Sequence, residues 1–170
     1  MAERKNRPID VLLAELGKSI GLDELYFDDN DGCLLQFDDT ITLLLLYESR
    51  QDFLYLFSFV QELPAENKEK VLRRLMEANY RWTETEGATL SLNPGEDNVV
   101  MTLQLSAVGL DLSVLEDTIG RFVDSVERWS KYLVNPVADV KLPKAAGNGS
   151  KDNGNDKGVA GGGNVPLIRA

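Results

Sequence analysis

The sequence predicts an α+β domain in which a twisted, five-stranded antiparallel sheet is combined with three helices, in the order α-β-β-β-α-β-β-α. Apolar residues recur at helical spacing in three segments and alternate along five others, and turn residues such as Asp, Asn, Gly and Pro separate these segments. A chain of 170 residues, 43% of them hydrophobic, is long enough to bury one core. We therefore expect a single folded domain.

The first predicted helix begins at Pro8 and ends before Gly21. Its apolar residues are spaced three and four apart and are Ile9, Leu12, Leu13, Leu16 and Ile20. An Asp-rich turn comes next, and the short apolar run from Cys33 to Phe37 then predicts the first strand. Together with the hairpin that follows, this strand would form a three-stranded meander.

The most apolar part of the chain, residues 41–60, holds thirteen apolar residues in twenty positions. A membrane-spanning helix needs about 20 nearly uncharged residues, and the sequence ESRQD at 48–52 interrupts this stretch. A β-hairpin explains this stretch better, because two apolar arms flank a short polar turn. Strand side chains alternate between two faces, and here both faces of each arm are apolar. The hairpin therefore predicts more apolar surface than one layer of helices covers.

The second half of the chain predicts a helix, a hairpin and a final helix. Residues 65–82 have helical apolar spacing, and alternating segments at 88–93 and 98–106 flank a Pro-Gly turn. Ser113 and Glu116 have the spacing of a capping box, which predicts that the third helix begins there. Asn135 and Pro136 predict where it ends.

Composition divides the chain into a folded domain, residues 1–143, and a tail, residues 144–170, in which seven of 27 residues are Gly. Such a tail is expected to be disordered and dispensable for folding. Its one apolar stretch, VPLIRA at 165–170, has no role in this scheme. The domain has fourteen basic and twenty-six acidic residues, a net charge of −12.

An acidic domain of this kind repels phosphate backbones and anionic lipid, so we expect neither nucleic acid binding nor membrane insertion. The acidic turns could also attract a basic partner segment. The beginning of the sequence has no secretory signal pattern, and the single cysteine, Cys33, has no disulfide partner within the chain. Both features predict a cytoplasmic protein.

The sequence offers little that could catalyse a reaction. It contains no histidine and no phosphate-binding or dinucleotide-binding glycine motif, so no catalytic residue, metal site or cofactor is predicted. Cys33 lies among apolar residues and is expected to be a small strand residue rather than a nucleophile. The Asp-rich loop does not fit a calcium loop, because its twelfth position is Asp38 and a strand follows. A carboxylate-only enzyme remains a minor alternative to a binding protein.

A known family has the same order of elements. The second helix leads through Asn79, Tyr80 and Trp82 into a strand that begins Gly87, Ala88 and Leu90, and this Asn-aromatic-Trp and Gly-Ala-x-Leu pattern resembles the Tir-chaperone (CesT-like) family. These proteins are the class I chaperones of bacterial type III secretion. The resemblance covers about residues 8 to 134 and supports a secretion-chaperone-like fold.

The resemblance implies a cytoplasmic bacterial homodimer that binds the non-globular N-terminal segment of a secreted effector. Without using ATP, it would keep the effector soluble and secretion-competent and help deliver it to the export apparatus. The alternative on the same fold is a regulatory or adaptor protein that binds a folded regulator.

Two sets of residues are candidates for these interfaces. The predicted dimer interface consists of Leu72, Met76, Trp82, Leu90 and Leu92, each of which also fits a core position. The predicted partner-binding residues are the exposed members of the set Leu12, Leu13, Leu16, Leu34, Leu44, Leu46, Leu54 and Leu56. This second set assumes that one row of β3 side chains faces the core, namely Phe53, Tyr55, Phe57 and Phe59. If the opposite row faced the core, the aromatic row would face the partner instead.

Overall fold

The computed structural model describes residues 6–22, 24–38 and 40–136, so the predicted tail lies outside the described residues. These residues form three α-helices, one short 3-10 helix (Tyr80–Trp82) and five strands. In chain order they are α1 (Pro8–Ser19), β1 (Gly32–Phe37), β2 (Ile41–Glu48), β3 (Phe53–Glu62), α2 (Lys68–Ala78), β4 (Thr89–Leu92), β5 (Asn98–Ser106) and α3 (Leu112–Val134). The predicted fold class and order of elements are confirmed.

The five strands form one sheet in the order β1-β2-β3-β5-β4, and every neighbouring pair is antiparallel. The apolar stretch at 41–60 is the β2–β3 hairpin, as predicted, and it occupies the middle of the sheet. No helix within the described residues is long and apolar enough to cross a membrane. The edges of the sheet are β1 and β4, which leaves each of them with one unpaired side.

The helices bury one side of the sheet. Leu43 and Leu45 of β2, like Leu56 of β3, have no exposed surface. The same core contains apolar residues of α1 and α3, including Phe122 and Trp129, and Val71 and Leu75 place α2 against it near β4. Burying these side chains is the main favourable contribution to folding.

An ion cluster attaches the start of α1 to the sheet. The Asp10 carboxylate accepts hydrogen bonds from the backbone N–H and the guanidinium of Arg7, at 2.7 to 2.9 Å. Arg7 also donates to Asp31, and its Cζ lies 4.8 Å from the centre of the Tyr47 ring. Burial raises the pKa of Asp10, but the hydrogen bonds from Arg7 outweigh this effect, so its pKa lies below the usual value. The carboxylate therefore stays charged and α1 stays attached at neutral pH.

The predicted start of α3 is wrong by two residues. Ser113 is already helical and exposed, and the N-cap is Asp111, whose carboxylate accepts a hydrogen bond from the Val114 N–H at 2.9 Å. Asp is as good an N-cap as Ser, and Asp111 has the extended backbone that a cap requires. The helix therefore begins at Leu112, one residue after the cap.

Gly17 allows the chain that follows α1 to cross the helix closely. A Cβ at this position would lie 2.7 Å from the Leu25 Cβ and 2.9 Å from the Leu22 carbonyl oxygen. The Gly17 carbonyl itself accepts a hydrogen bond from the Leu22 N–H at 2.8 Å. Only glycine therefore lets the segment between α1 and β1 lie against the helix at this point.

We expect the Gly17→Ala substitution to destabilise the domain by about 1–3 kcal/mol, because the methyl group would force Leu22 and Leu25 away from the helix. The matched control is Gly120→Ala in α3, where an added Cβ meets nothing within 4 Å. That control should stabilise the domain by up to about 1 kcal/mol through helix propensity. Urea denaturation measures the free energy of unfolding of both variants. Equal changes in the two would contradict the close approach of the chain to Gly17.

Candidate protein-binding surfaces

The side of the sheet opposite the core is also apolar. Leu34 is 66% exposed and Phe59 is 49% exposed, and their neighbours are half-buried. In the part of the chain that the structure describes, no helix packs on this side. We call this side the apolar face, and it consists of Leu34, Leu44, Leu46, Phe53, Tyr55, Phe57 and Phe59.

Strand register makes these side chains neighbours. Leu44 lies between Leu34 and Phe57, since it is the register partner of both, and Leu46 lies opposite Tyr55. The Tyr55 and Phe57 ring centres are 5.9 Å apart, and those of Phe53 and Tyr55 are 6.3 Å apart. The apolar face is thus one continuous band across β1, β2 and β3.

The prediction of which β3 side chains face the core is wrong. Leu54 and Leu56 are 1% and 0% exposed and belong to the core, whereas the aromatic row lies on the apolar face. The four-residue loop at 49–52 pairs Glu48 with Phe53, and this register places the aromatic row beside Leu44 and Leu46. Sequence reasoning missed Phe53, Tyr55, Phe57 and Phe59 because it did not fix the length of this loop.

The predicted partner-binding residues therefore divide into two groups. Three are accessible on the apolar face, namely Leu34, Leu44 and Leu46. The other five are core residues, namely Leu12, Leu13, Leu16, Leu54 and Leu56. The three leucines of α1 are buried because their spacing forms the helix face that packs on the sheet, so they cannot contact a partner.

The outer edge of β1 is open along its second half. The N–H and C=O of Gly32 both bond to Asp28, at 2.8 and 2.7 Å, and so point away from β2. Because such groups alternate along an antiparallel strand, those of Leu34 and Gln36 point the same way. Within the described residues these groups have no hydrogen-bond partner. The edge can therefore accept an added strand opposite Leu34 and Gln36.

A groove follows this open edge. Its volume is about 490 Å³, and it is lined by Glu24, Leu25, Tyr26, Asp28, Gly32, Cys33, Leu34 and Leu44. Burial, with a contribution from Asp28, raises the pKa of the Cys33 thiol to about 11. The thiol is therefore protonated at neutral pH, which suits a packing role. The groove joins the edge of β1 to the apolar face through Leu34 and Leu44.

Asn79 and Thr85 satisfy backbone groups along part of the opposite edge of the sheet, at β4. The Asn79 amide accepts from the Leu90 N–H and donates to the Leu90 carbonyl, both at 2.9 Å. Thr85 satisfies both backbone groups of Ala88. Its backbone carbonyl accepts a hydrogen bond from the Ala88 N–H, and its side-chain hydroxyl donates to the Ala88 carbonyl. These bonds take the place of a neighbouring strand. Leu90 in β4, and Ala88 just before it, therefore have no free backbone groups on the outer side of the sheet.

A second apolar surface covers α2 and the segment after it. Met76 is 70% exposed and Trp82 is 53% exposed, whereas Leu72 is half-buried. Of the predicted dimer residues, only Leu90 is buried, at 3% exposure, because it faces the core beneath the Asn79 bonds. We call this region the α2–β4 surface, and it consists of Leu72, Met76, Tyr80, Trp82 and Leu92.

The α2–β4 surface is held in place by α3. The indole N–H of Trp129 donates to the Glu84 carbonyl at 3.3 Å, and the Arg74 guanidinium lies 5.3 Å from the centre of the Trp129 ring. Arg74 also pairs with the Glu84 carboxylate. The backbone of Trp82 is left-handed, with φ of 53°, and its indole donates to Thr89. The exposed ring is thus fixed on a supported loop.

A family model supplies the decisive comparison. The model described as "Tir chaperone protein (CesT) family" matches residues 11–130. The chain belongs to this family. This assignment makes the chain a chaperone of the type III secretion class and confirms the resemblance found in the sequence.

Solved structures agree with this family assignment. The crystal structure of the ExsC-ExsE complex contains a chain that is 26% identical, with a TM-score of 0.65, over 74% of this chain and 92% of that one. The HopA1-SchA chaperone-effector complex gives 17% identity and a TM-score of 0.61, over 72% of this chain and 93% of that one.

The ExoU-SpcU complex from the type III secretion system of Pseudomonas aeruginosa gives 16% identity and a TM-score of 0.58, over 75% of this chain and 98% of that one. At this identity, as for the HopA1-SchA complex, the likeness shows the fold alone. The comparison with curated protein sequences gives no match.

We expect Asn79→Ala to destabilise the domain by about 2 kcal/mol, because it leaves the buried N–H and C=O of Leu90 without partners. The matched control is Asn30→Ala in an exposed turn, which should change stability by less than about 0.5 kcal/mol. Urea denaturation compares the two. A loss below about 0.5 kcal/mol for Asn79→Ala would contradict the role of the amide as the closure of the β4 edge.

Proposed function

We propose that this family member is an ATP-independent chaperone that binds the non-globular N-terminal segment of a type III secreted effector. It keeps that segment soluble and secretion-competent and aids its delivery to the export apparatus. The observation that supports this most is the position of the apolar face directly beside an open strand edge, at Leu34. An extended segment can use both at once.

An extended client would add a strand to β1 and bond to the backbone of Leu34 and Gln36. Side chains on one side of that strand would then lie on the apolar face, in line with Leu34 and Leu44, because strand side chains alternate. Ordering an unfolded segment costs free energy, and coupled folding and binding typically buries about 1,000–3,000 Å² to offset it. The apolar face and the groove supply contiguous surface for this purpose.

Edge geometry supports β1 over β4 as the strand acceptor. Asn79 and Thr85 satisfy the outward groups of Leu90 and Ala88, so a strand added at β4 would have to break these bonds. At β1, a strand opposite Leu34 and Gln36 breaks none of the bonds formed by described residues. The HopA1-SchA neighbour is itself a chaperone-effector complex, which agrees with an effector as the partner class.

We also propose that the chain acts as a cytoplasmic homodimer and that the α2–β4 surface forms the interface. Four of its residues, Leu72, Met76, Trp82 and Leu92, were predicted for this role, and Tyr80 extends the same surface. These residues lie on α2, in the segment that follows it and at the end of β4, and large exposed apolar patches mark association sites. Leu90 would support the interface from beneath rather than contact the partner.

For client binding, we expect Leu34→Asp and Leu44→Asp to leave the domain folded and to weaken client binding by roughly 30-fold or more. A charge buried without a partner costs at least about 2 kcal/mol in the complex. Val134→Asp is the exposed control on α3, and Leu45→Asp, at a fully buried position, should unfold the chain. Circular dichroism reports folding in each variant.

The client for this test is recovered by co-purification from the native bacterium, and limited proteolysis maps the retained segment. Retention of an exported protein through its N-terminal region, lost in Leu34→Asp and kept in Val134→Asp, is the expected result. Retention of a folded regulator would instead favour the adaptor function. Unchanged binding by both face variants would exclude the apolar face as the client site.

For the dimer, Met76→Asp should give a monomer at micromolar concentrations while the unmodified chain sediments as a dimer. The reason is that Met76, the most exposed of the predicted interface residues, would bring a charge into the interface of each protomer. Val114→Asp, on an exposed part of α3, is the control that should remain dimeric. A monomeric unmodified chain across this range would contradict the proposed interface.

A further inference from the structure

The apolar face is too apolar to remain uncovered when no client is bound. Within the described residues it carries Leu34 and Phe59 with about half or more of their surface exposed, and five further apolar side chains adjoin them. Contiguous apolar patches larger than a few hundred Å² seldom persist on soluble monomers. An occupant that gives way to a client would resolve this, and the chain itself contains a suitable segment.

That segment is the sequence VPLI at residues 165–168, the only run of four apolar or Pro residues after position 143. Pro166 has a fixed φ near −65° and biases Val165 towards an extended backbone. An extended segment places Val165 and Leu167 on the same side, as a strand does. This is the same pattern of apolar contact that a client strand would present.

Charge favours contact between this part of the chain and the domain. Residues 137–170 contain five basic and three acidic residues, whereas residues 1–136 contain thirteen basic and twenty-five acidic ones. Arg169 directly follows the apolar segment, and the groove beside Leu34 is lined by Glu24 and Asp28. Opposite net charges attract the two parts, and the acidic groove suits a basic residue beside an apolar one.

The length of the chain is sufficient. Val165 lies 29 residues after Pro136, and a Gly-rich chain of that length has an average end-to-end distance of about 30 Å. A domain of this size is about 35 Å across. At such a length the effective concentration of the segment at the domain surface is about 1 mM, so even an affinity of about 0.3 mM in trans gives roughly three-quarters occupancy.

We propose that residues 165–168 dock on the apolar face of their own chain and act as a built-in competitor that a client displaces. The segment would protect the face from aggregation and set a minimum affinity for any client. This inference concerns the same face as the proposed function. Its test uses no client, so that its failure leaves client binding untouched.

The test compares two variants of the 170-residue chain by the fluorescence of 8-anilinonaphthalene-1-sulfonate, a dye that binds exposed apolar surface. Leu167→Asp/Ile168→Asp removes the apolar segment, and Val159→Asp/Ala160→Asp adds the same two charges earlier in the tail. We expect the first variant to raise dye fluorescence about fourfold, since the face changes from about one-quarter to fully accessible, and the control to match the unmodified chain. Equal fluorescence in all three proteins overturns the proposal.

Two further measurements establish where the segment docks. In a Leu34→Asp background, Leu167→Asp/Ile168→Asp should change dye fluorescence little, because the apolar face is already altered. An undiminished increase in fluorescence would place the segment elsewhere and overturn the proposal. Dilution over about a hundredfold should leave the difference unchanged, because an intramolecular contact does not depend on concentration. A difference that disappears on dilution means that the segment docks on a second molecule, which also overturns self-docking.

Discussion

The structure depends on one constraint, which is that the central hairpin is apolar on both faces while the helices cover only one. Leu43, Leu45 and Leu56 are completely buried on the helix side, and this burial provides the core. On the other side, Leu44 lies opposite Phe57 and Leu46 opposite Tyr55, so cross-strand contacts bury each of them only in part. The same hairpin therefore provides the core with one face, and its other face is the one that we propose binds a client.

The two edges of the sheet are treated differently. At the β4 edge, the Asn79 side chain satisfies both backbone groups of Leu90, and the backbone carbonyl and hydroxyl of Thr85 satisfy those of Ala88. At β1, Asp28 satisfies Gly32, but Leu34 and Gln36 lie beyond its reach. An exposed strand edge is an aggregation risk, and the open stretch of β1 is short, which limits that risk at the place where we propose that a client strand adds.

Sequence reasoning identified the three α-helices and five strands of the described residues, because the spacing of apolar residues directly reflects 3.6-residue and two-residue periods. It did not find which β3 side chains face the core, since that depends on whether the loop after Glu48 has an even or odd number of residues. It also placed Leu90 at an interface. Its side chain is buried because Leu90 lies opposite Met101 in the pairing of β4 with β5 and so faces the core, and the sequence did not predict this register.

The two tryptophans of this chain occupy contrasting environments, and each is therefore an optical probe of a different process. Trp129 is fully buried beside Arg74 and Tyr132, so its emission reports the folded core. Trp82 is half exposed on the α2–β4 surface, so a blue shift of its emission reports contact there. With a Trp82→Phe variant as the reference, intrinsic fluorescence separates unfolding from association without any added label.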